Sequence, residues 1–496
     1  MNVKVDPQSP VIVGVGQVNA SYPAGEPTTL MAEALSLAAS QKVLDAIDEL
    51  DIVAIGSRAY SNPGHLVAAT LGLTVDRVGY TTHGGHSPQM LVNRAAWHVF
   101  TGKRDIVAIA GAESWRTRRL LKRAETASGW TVQSADQQPD ELIGRELSMA
   151  TDVEARVGFG DPLDAYPMLE SAIRAEAGRT IDEQNDVIAR LWSAFSDVAA
   201  ENPYAAIRRR VTAQDILSPA DGNRLISHPY RKLAVSNNDV DQAAAIIVTS
   251  YGRALSLGYS ADDLVFVHGF GEAVDCDSFT ARASYTSSRA IQAAAMDALA
   301  MSRVSMDDIA LVDVYSCFPS AVQIGARALN LKLSGDLTVT GGLTFGGGPW
   351  NNYVTHAIAT MVTALRDRPE DLGMCTANGG LLTKHAIGIY GARPPASPII
   401  EPRVRQCDTQ LPVTDVLHGP ATILASTVRY ARDDVAQHGF VVAETAEGVR
   451  ILARTDEWNL LAELEANDVV GLTAIVRGTS LVDFAERSPS LAPATR

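Results

Sequence analysis

Residues 81–97 read TTHGGHSPQMLVNRAAW. Two glycines precede Ser87 and Pro88, and an amphipathic run follows. That is the pattern of a tight turn feeding a helix with proline at its start. Such a turn can carry a nucleophile, and the chemically able residues on it are His83, His86 and Ser87, while its apex is the bare Gly85. Ser87 would need a base, and His86, His356 or His385 could serve only if the fold brought one close. Otherwise it is a turn serine capping the helix at Pro88. His83 and His86 have a spacing seen at metal sites, but no acidic or thiol partner adjoins them, so packing or hydrogen bonding is the plainer role and no metal is expected. Lys384 and His385 follow a later glycine turn, in CTANGGLLTKHAIG, and could sit over a cleft or near the surface. The four cysteines, Cys276, Cys317, Cys375 and Cys407, form no C-x-x-C pair. That spacing points to a reducing, cytoplasmic setting rather than a disulfide framework or zinc finger.

Two segments share one order of elements. The first opens with a strand at Asp51 (DIVAIGS), then a helix through SNPGHLVAATLGL, the turn at Gly84-Gly85, a Pro-led helix to about Phe100, and the strand DIVAIAGAES from Asp105. The second opens with DIALVDVYSCF at Asp308, then a helix from Pro319 to about Leu329, the turn Gly346-Gly347-Gly348-Pro349, a helix through about Leu365, and DLGMCTANGG from Asp371. A duplicated α/β unit with mostly parallel sheets follows from this repeat. Cys317 and Cys375 end equivalent strands, where α/β folds gather their clefts. Each is equally readable as a buried apolar thiol. Gly346 to Gly348 resembles a phosphate cradle but lacks the Lys-Ser/Thr of a P-loop.

The chain of 496 residues, 46 % hydrophobic and 20 % charged, is expected to divide into several domains. The expected boundaries are 1–114 with 231–258 as the first half, 115–230 as a helical inserted lid, and 259–393 as the second half. A proline-rich linker at 394–402 leads to a β-rich domain at 403–487, an OB-like barrel of about five strands, and a disordered tail at 488–496. No run approaches the ~18 apolar residues of a membrane helix, and MNVKVDPQSPVIVGVG does not read as a signal peptide. Net charge is -15, and the barrel segment has no strong aromatic-and-basic strand pattern, so nucleic acid is not an expected partner. Basic islands nonetheless occur: Arg116, Arg118, Arg119, Lys122 and Arg123; Arg208, Arg209 and Arg210; and Arg231 with Lys232. Each is readable as a solvated face or as a seat for a phosphorylated small ligand.

The order of glycine turns, the GAES after the first strand pair, ENPYAA in the insertion and the return strand LAVSNNDVDQAAAIIV resemble thiolases, and are most similar to sterol-carrier-type thiolase-like proteins called acetyl-CoA acetyltransferases. The resemblance covers about residues 8–395. It implies the duplicated five-layer α-β-α-β-α thiolase fold, an acyltransferase of lipid metabolism, and CoA or an acyl-CoA as ligand with no covalent cofactor. It also implies a cysteine nucleophile on the first glycine turn, an activating histidine in a Gly-His-Pro turn, a second cysteine in the last turn, and an Asn-Glu-Ala-Phe or His-Asp-Cys-Phe loop. Carried onto this chain, the nucleophile position is Gly85 and the histidine position is Gly348. The loop reads Tyr315-Ser316-Cys317-Phe318, and only Cys375 to Gly380 keeps recognisable chemistry. The expectation is a thiolase-like CoA-binding protein without ordinary thiolysis or condensation. The alternatives are an acyltransferase or hydrolase using Cys375 or Ser87, with Cys317, Tyr315 and His385 nearby, and a scaffold whose barrel binds a protein or nucleic acid. The phosphates would lie on Arg208, Arg209 and Arg210, or Arg116 and Arg119, with Gly346 and Gly379 at the turns.

Overall fold

The computed structural model describes residues 5–146, 149–220, 222–407 and 409–485; the tail expected at 488–496 lies outside them. Strands β1 (Pro10–Asn19), β2 (Glu49–Ile52), β3 (Arg77–Thr81), β4 (Ile106–Ser114) and β5 (Glu141–Ile143) come first, and β6 (Leu225–Ser227) and β7 (Tyr230–Arg231) follow in the insertion. β8 (Asp241–Ser250), β9 (Val265–Val274), β10 (Ile309–Asp313), β11 (Leu372–Gly379) and β12 (Lys384–Gly391) complete the body. Beyond it run β13 (Val404–Gln406), β14 (Leu417–Tyr430), β15 (Ala436–Glu444), β16 (Arg450–Thr455), β17 (Thr473–Gly478) and β18 (Ser480–Phe484).

The body strands run in the order β10-β11-β12-β9-β1-β8-β4-β2-β3-β5, with β13 beside β9. They form two half-sheets that meet where Val11 and Ile12 pair with Phe266 and Val265. The sheets are mixed rather than mostly parallel. Parallel pairing is confined to β4-β2-β3-β5, β10-β11 and β13-β9. The reason is connectivity: the turn Gly380–Thr383 between β11 and β12 is far too short for a parallel crossover.

Helices Pro27–Ala38 and Pro63–Leu71 cover the outer face of the first half-sheet, and Arg289–Ser302 covers that of the second. Helices Ser87–Phe100 and Tyr353–Asp367 lie between the half-sheets and touch strands of both, which makes five α-β-α-β-α layers. The second central helix starts at Tyr353, not at Pro349. Positive φ at Gly347 (112°) and Trp350 (47°) keeps the approach out of the α-helix, and Trp350–Asn352 form a 3-10 turn instead. The outer helices lie so close to the sheet that the strands beneath need bare backbone. A Cβ on Gly14 or Gly16 of β1 would strike the carbonyls of Ala38 or Ala34, and on Gly269 or Gly271 of β9 those of Ala298 or Ala294. The duplication therefore extends to β1 and β9.

The insertion carries helices Trp115–Arg123, Asp152–Arg156, Pro162–Glu176, Ile181–Glu201 and Ala213–Leu217. β14, β15, β16, β18 and β17 close into a five-stranded barrel, with helix Trp458–Ala466 packed against it. The barrel is not a free appendage. β6 pairs with β14, Arg429 bridges Asp161 and Asp164, Arg174 bridges Asp468, and Ser426 N donates to Ser171 Oγ at 2.9 Å.

Glu272 on β9 is buried and accepts from Asn93 Nδ2 of the first central helix at 2.9 Å. Burial pushes its carboxyl up to about 7. The folded state thus keeps a proton that the unfolded chain releases, so this stability is full below the unfolded value and is lost as pH rises through about 7. Glu272→Gln keeps the acceptor and removes the charge. Thermal unfolding should show little difference from wild type at pH 4.5 and a variant more stable by on the order of 2 kcal/mol at pH 8. A difference that does not grow with pH would mean the carboxyl is not held neutral.

Candidate functional site

Both glycine turns lie at the starts of the central helices. At the first, Ser87 is the first helical residue and is buried. Its N–H donates to Gly84 O at 3.0 Å and its hydroxyl to Thr82 O at 3.4 Å. The N-cap residue is His86, with no side-chain cap bond, so Ser87 is not the cap. No histidine nitrogen hydrogen-bonds Ser87 among the described residues: His356 Nδ1 lies 2.9 Å from Gln17 Oε1, and His385 Nε2 lies 3.3 Å from Leu382 O. Burial lowers His86 and His356 to about 3 and His385 to about 4, so all three are neutral near pH 7. His83 is exposed, with Nδ1 3.0 Å from Asn351 Nδ2. Among the described residues, no group of three or more His, Cys, Asp or Glu could hold a metal.

Gly85 is buried, and the space a side chain would need is occupied. A Cβ there would collide with the Tyr315 hydroxyl, would come within 2.9 Å of Tyr315 Cζ, and would stand 2.5 Å from the carbonyl oxygen of Asn378. Tyr315 is pinned. Its N–H donates to Thr376 Oγ1 at 2.9 Å, and its ring meets Tyr353 edge-on at 5.6 Å. Tyr353 in turn donates to Asp313 Oδ1 at 2.8 Å. Asp313 also accepts from Thr338, Val339 N and Thr340, while burial raises its carboxyl above the ordinary range.

The second turn is filled in the same way. A Cβ on Gly348 would strike Ser236 Oγ and stand 3.0 Å from Asn238 Oδ1. The turn is no phosphate cradle: Gly346 N donates to Gly342 O at 2.8 Å and Gly348 N to Asn237 O at 2.9 Å. Gly379 closes the end of β11 against the first turn, where a Cβ would lie 2.7 Å from His86 Nδ1 and 3.2 Å from Gly84 Cα.

Cys375 does not lie on the last turn. It sits inside β11, opposite Asp313 and Gly388, fully buried, and burial with Asp313 nearby holds its thiol well above the usual range. Cys317 lies in the loop after β10, close to Tyr166 and Asn378, and burial pushes its thiol up to about 12. Neither thiol has the environment that makes a thiolate. Lys384 Nζ donates to Arg145 O at 2.7 Å and His83 O at 3.4 Å, and burial lowers its pKa.

Two wall residues were not among the candidates: Tyr166 carried no sequence signal, and Asn378 lay unremarked within the Cys375–Gly380 stretch. Tyr166, in helix Pro162–Glu176, stacks on Phe318 at 4.5 Å and accepts from Asn378 Nδ2 at 2.8 Å. Asn378 also supplies the carbonyl over Gly85. A tyrosine in a helical insertion and an asparagine in a strand look ordinary until the fold joins them.

The basic islands are largely spent on neighbours. Arg116 bonds Asp241 and Ala20 O, Arg119 forks onto Asp239 at 2.8 and 2.6 Å, and Arg210 bridges Asp197 and Glu201 at 2.7 Å each. Arg208 and Arg209 are exposed, without an ion pair among the described residues.

Two filled glycine turns on central helices, a duplicated five-layer body and a closed added barrel are specific enough to compare. Residues 404–480 match the additional C-terminal domain of thiolase-like proteins type 1. A monomeric SCP2-thiolase-like protein type 1 from Mycobacterium smegmatis superposes with a TM-score of 0.81 at 28 % identity, over 96 % of this chain and 98 % of that one. The chain has the thiolase fold and is similar over nearly its whole length to an SCP2-thiolase-like protein. The dimeric peroxisomal thiolase of Saccharomyces cerevisiae shares the fold at a TM-score of 0.57 and 14 % identity, over 78 % of this chain and 98 % of that one. An Ltp2–ChsH2(DUF35) aldolase does so at 0.59 and 22 %, over 78 % and 99 %. No curated protein matches the sequence. Among the described residues, no helix is long and apolar enough to cross a membrane.

A side chain at residue 85 must displace Tyr315. Gly85→Ala should lower stability by about 1–3 kcal/mol, the usual cost of overpacking a filled site. In a Tyr315→Ala background the loss should shrink, which a double-mutant cycle in urea would show as a coupling between the two positions. Equal losses in both backgrounds would place the tyrosine outside this space. Gly85→Cys should likewise strain the turn rather than yield the low-pKa thiol expected of an open helix N-terminus.

Proposed function

We propose that this SCP2-thiolase-like chain binds CoA or an acyl-CoA in lipid metabolism and does not perform the thiolysis or condensation of thiolases. The observation that carries the reading is the filled space at Gly85. A missing cysteine could leave an open pocket for a substrate thioester, but here a tyrosine hydroxyl and a backbone carbonyl take its place. Covalent acyl transfer needs a nucleophile with a base in reach. Cys375 and Cys317 are buried with raised thiol pKa values, and Ser87 hydrogen-bonds backbone, which speaks against the divergent acyltransferase or hydrolase. The superfamily supports the ligand class, and Arg208 and Arg209 are unpaired cations for its phosphates. Four free cysteines agree with a reducing compartment such as the cytoplasm.

A protein partner is a second reading. The aldolase neighbour joins Ltp2 with a ChsH2(DUF35) partner, and Trp458, at the start of the barrel helix, is 75 % exposed.

Incubation of the wild-type chain with acetoacetyl-CoA and CoA should give no thioester loss above buffer. Turnover abolished by Cys375→Ala would overturn the non-catalytic reading, and turnover surviving it would show that the reacting centre lies elsewhere. Calorimetric titration with CoA should show binding that weakens with salt. Replacing Arg208 and Arg209 by Gln should weaken it about threefold to tenfold. An unchanged binding heat would remove these arginines from the site, and no heat at low salt would remove the ligand class.

A further inference from the structure

Trp350 follows the second glycine turn directly, and its placement has no role in closing Gly85. Its backbone is left-handed, with φ 47°, although three glycines stand just upstream. A bulky residue in that region is strained, and such strain persists only where the surroundings over-determine it. The strain does not bury the ring: Trp350 is 44 % exposed. The indole stacks on Trp115 with centroids 5.5 Å apart and planes 23° from parallel. The floor is cut to fit, since a Cβ on Gly56 would come within 3.3 Å of Trp350 Cδ2 and Cε3. Glu113 fixes that floor by accepting from the N–H groups of Gly56 and Ser57 at 2.6 Å each.

A fixed cation adjoins the pair. Arg118 places its Cζ 5.0 Å from the Trp115 ring centroid and donates from Nη1 to Ser57 O at 2.9 Å. The side chain is exposed, and its Nε and Nη2 make no hydrogen bond among the described residues. That leaves open the guanidinium edge that matches a carboxylate with two parallel bonds. Arg116 and Arg119 on the same helix are ion-paired with Asp241 and Asp239. Arg118 makes no ion pair among the described residues and feels the buried Glu113 only through space, while Lys122 and Arg123 are exposed and add to the positive field. The platform lies beside the first turn, because Asn351, next to Trp350, accepts from Gly84 N at 2.9 Å.

We propose that Trp350 and Trp115, with Arg118 beside them, form a surface site for a planar aromatic carboxylate. The indole keeps 44 % of its surface exposed, its stacked partner Trp115 holds it rigid at little entropic cost, and the open guanidinium edge of Arg118, which lies 5.0 Å from the Trp115 centroid, selects the anion. The site does not depend on the CoA reading, since it uses none of Arg208, Arg209 or the filled turns.

The test is calorimetric titration of the full chain with 2-naphthoate, against cyclohexanecarboxylate and 2-naphthalenemethanol as controls. Saturable 2-naphthoate binding is expected, with cyclohexanecarboxylate about tenfold weaker. Trp350→Leu keeps an apolar side chain but not the ring and should weaken 2-naphthoate about tenfold, while Trp350→Phe should hold it within about threefold. Arg118→Met should weaken 2-naphthoate about threefold or more and leave 2-naphthalenemethanol unchanged. The arginine arm stands alone if the strained Trp350 variants fold poorly. The site is refuted by no saturable 2-naphthoate binding up to millimolar concentration. It is refuted equally by an affinity that ignores either Trp350→Leu or Arg118→Met, or by equal affinity for the cyclohexane acid.

Discussion

The volume above Gly85 is taken by the Tyr315 hydroxyl and the Asn378 carbonyl, and this exclusion organises the centre of the molecule. Any side chain there must move an aromatic ring that is tied to buried polar groups. Tyr315 leans on Tyr353, Tyr353 donates to Asp313, and Asp313 gathers the loop Thr338–Thr340 at the end of β10. Buried networks of this kind are costly to open, because each group released loses its partner without gaining water. The ring is therefore part of the core, and the slot is closed by packing rather than by a passing rotamer.

The closure is reciprocal between the two halves. Gly85 belongs to the first half, and Tyr315 with Asn378, from the second, fills its space. Gly348 belongs to the second half, and Ser236 with Asn238, from the loop before β8, fills its space. The two glycines are thus matched by two intrusions across one interface. A change at residue 85 alone would leave the second turn blocked, and the reverse holds too. That pairing explains why both functional positions expected from the family are glycine more directly than two independent losses would.

The order strand, helix, glycine turn, helix and strand was legible because hydrophobic period and Gly-Pro punctuation are local signals, but the strand Arg77–Thr81 that stands before the first glycine turn was missed. Also legible were the runs that became β14 to β17 and the helix among them. Gly85 as a bare apex was legible for the same reason. What fills it was not, since Tyr315 and Asn378 are far along the chain and of types that suit a core equally well. The basic islands misled in the same way. Clustering in sequence is visible, but Asp239, Asp241 and Asp197, which neutralise Arg119, Arg116 and Arg210, arrive from other elements. Cys375 looked like a turn residue because the strand before it runs through CTANG without a break in polarity. The glycines of β1 and β9 marked a further repeat, but only the facing helix carbonyls give their spacing a meaning.

The added barrel bears on the same centre through one helix. Pro162–Glu176 presents Tyr166 to Phe318, Asn378 and the turn at Gly380 on its inner side. On the barrel side it presents Asp164 to Arg429, Ser171 to the backbone of Ser426, and Arg174 to Asp468. Its lower turn is held as well, by Glu170 accepting from Tyr230, Gln184 and Gln323. A lid over an acyl site must move to admit and release its substrate. Helix Pro162–Glu176 is bonded to the body on one side and to a closed barrel on the other, so moving it means breaking two buried interfaces at once. The barrel and the filled turns therefore act in one direction: each makes the inherited centre more a piece of core and less a pocket, and leaves the outer face of the turns as the surface on which a ligand can act.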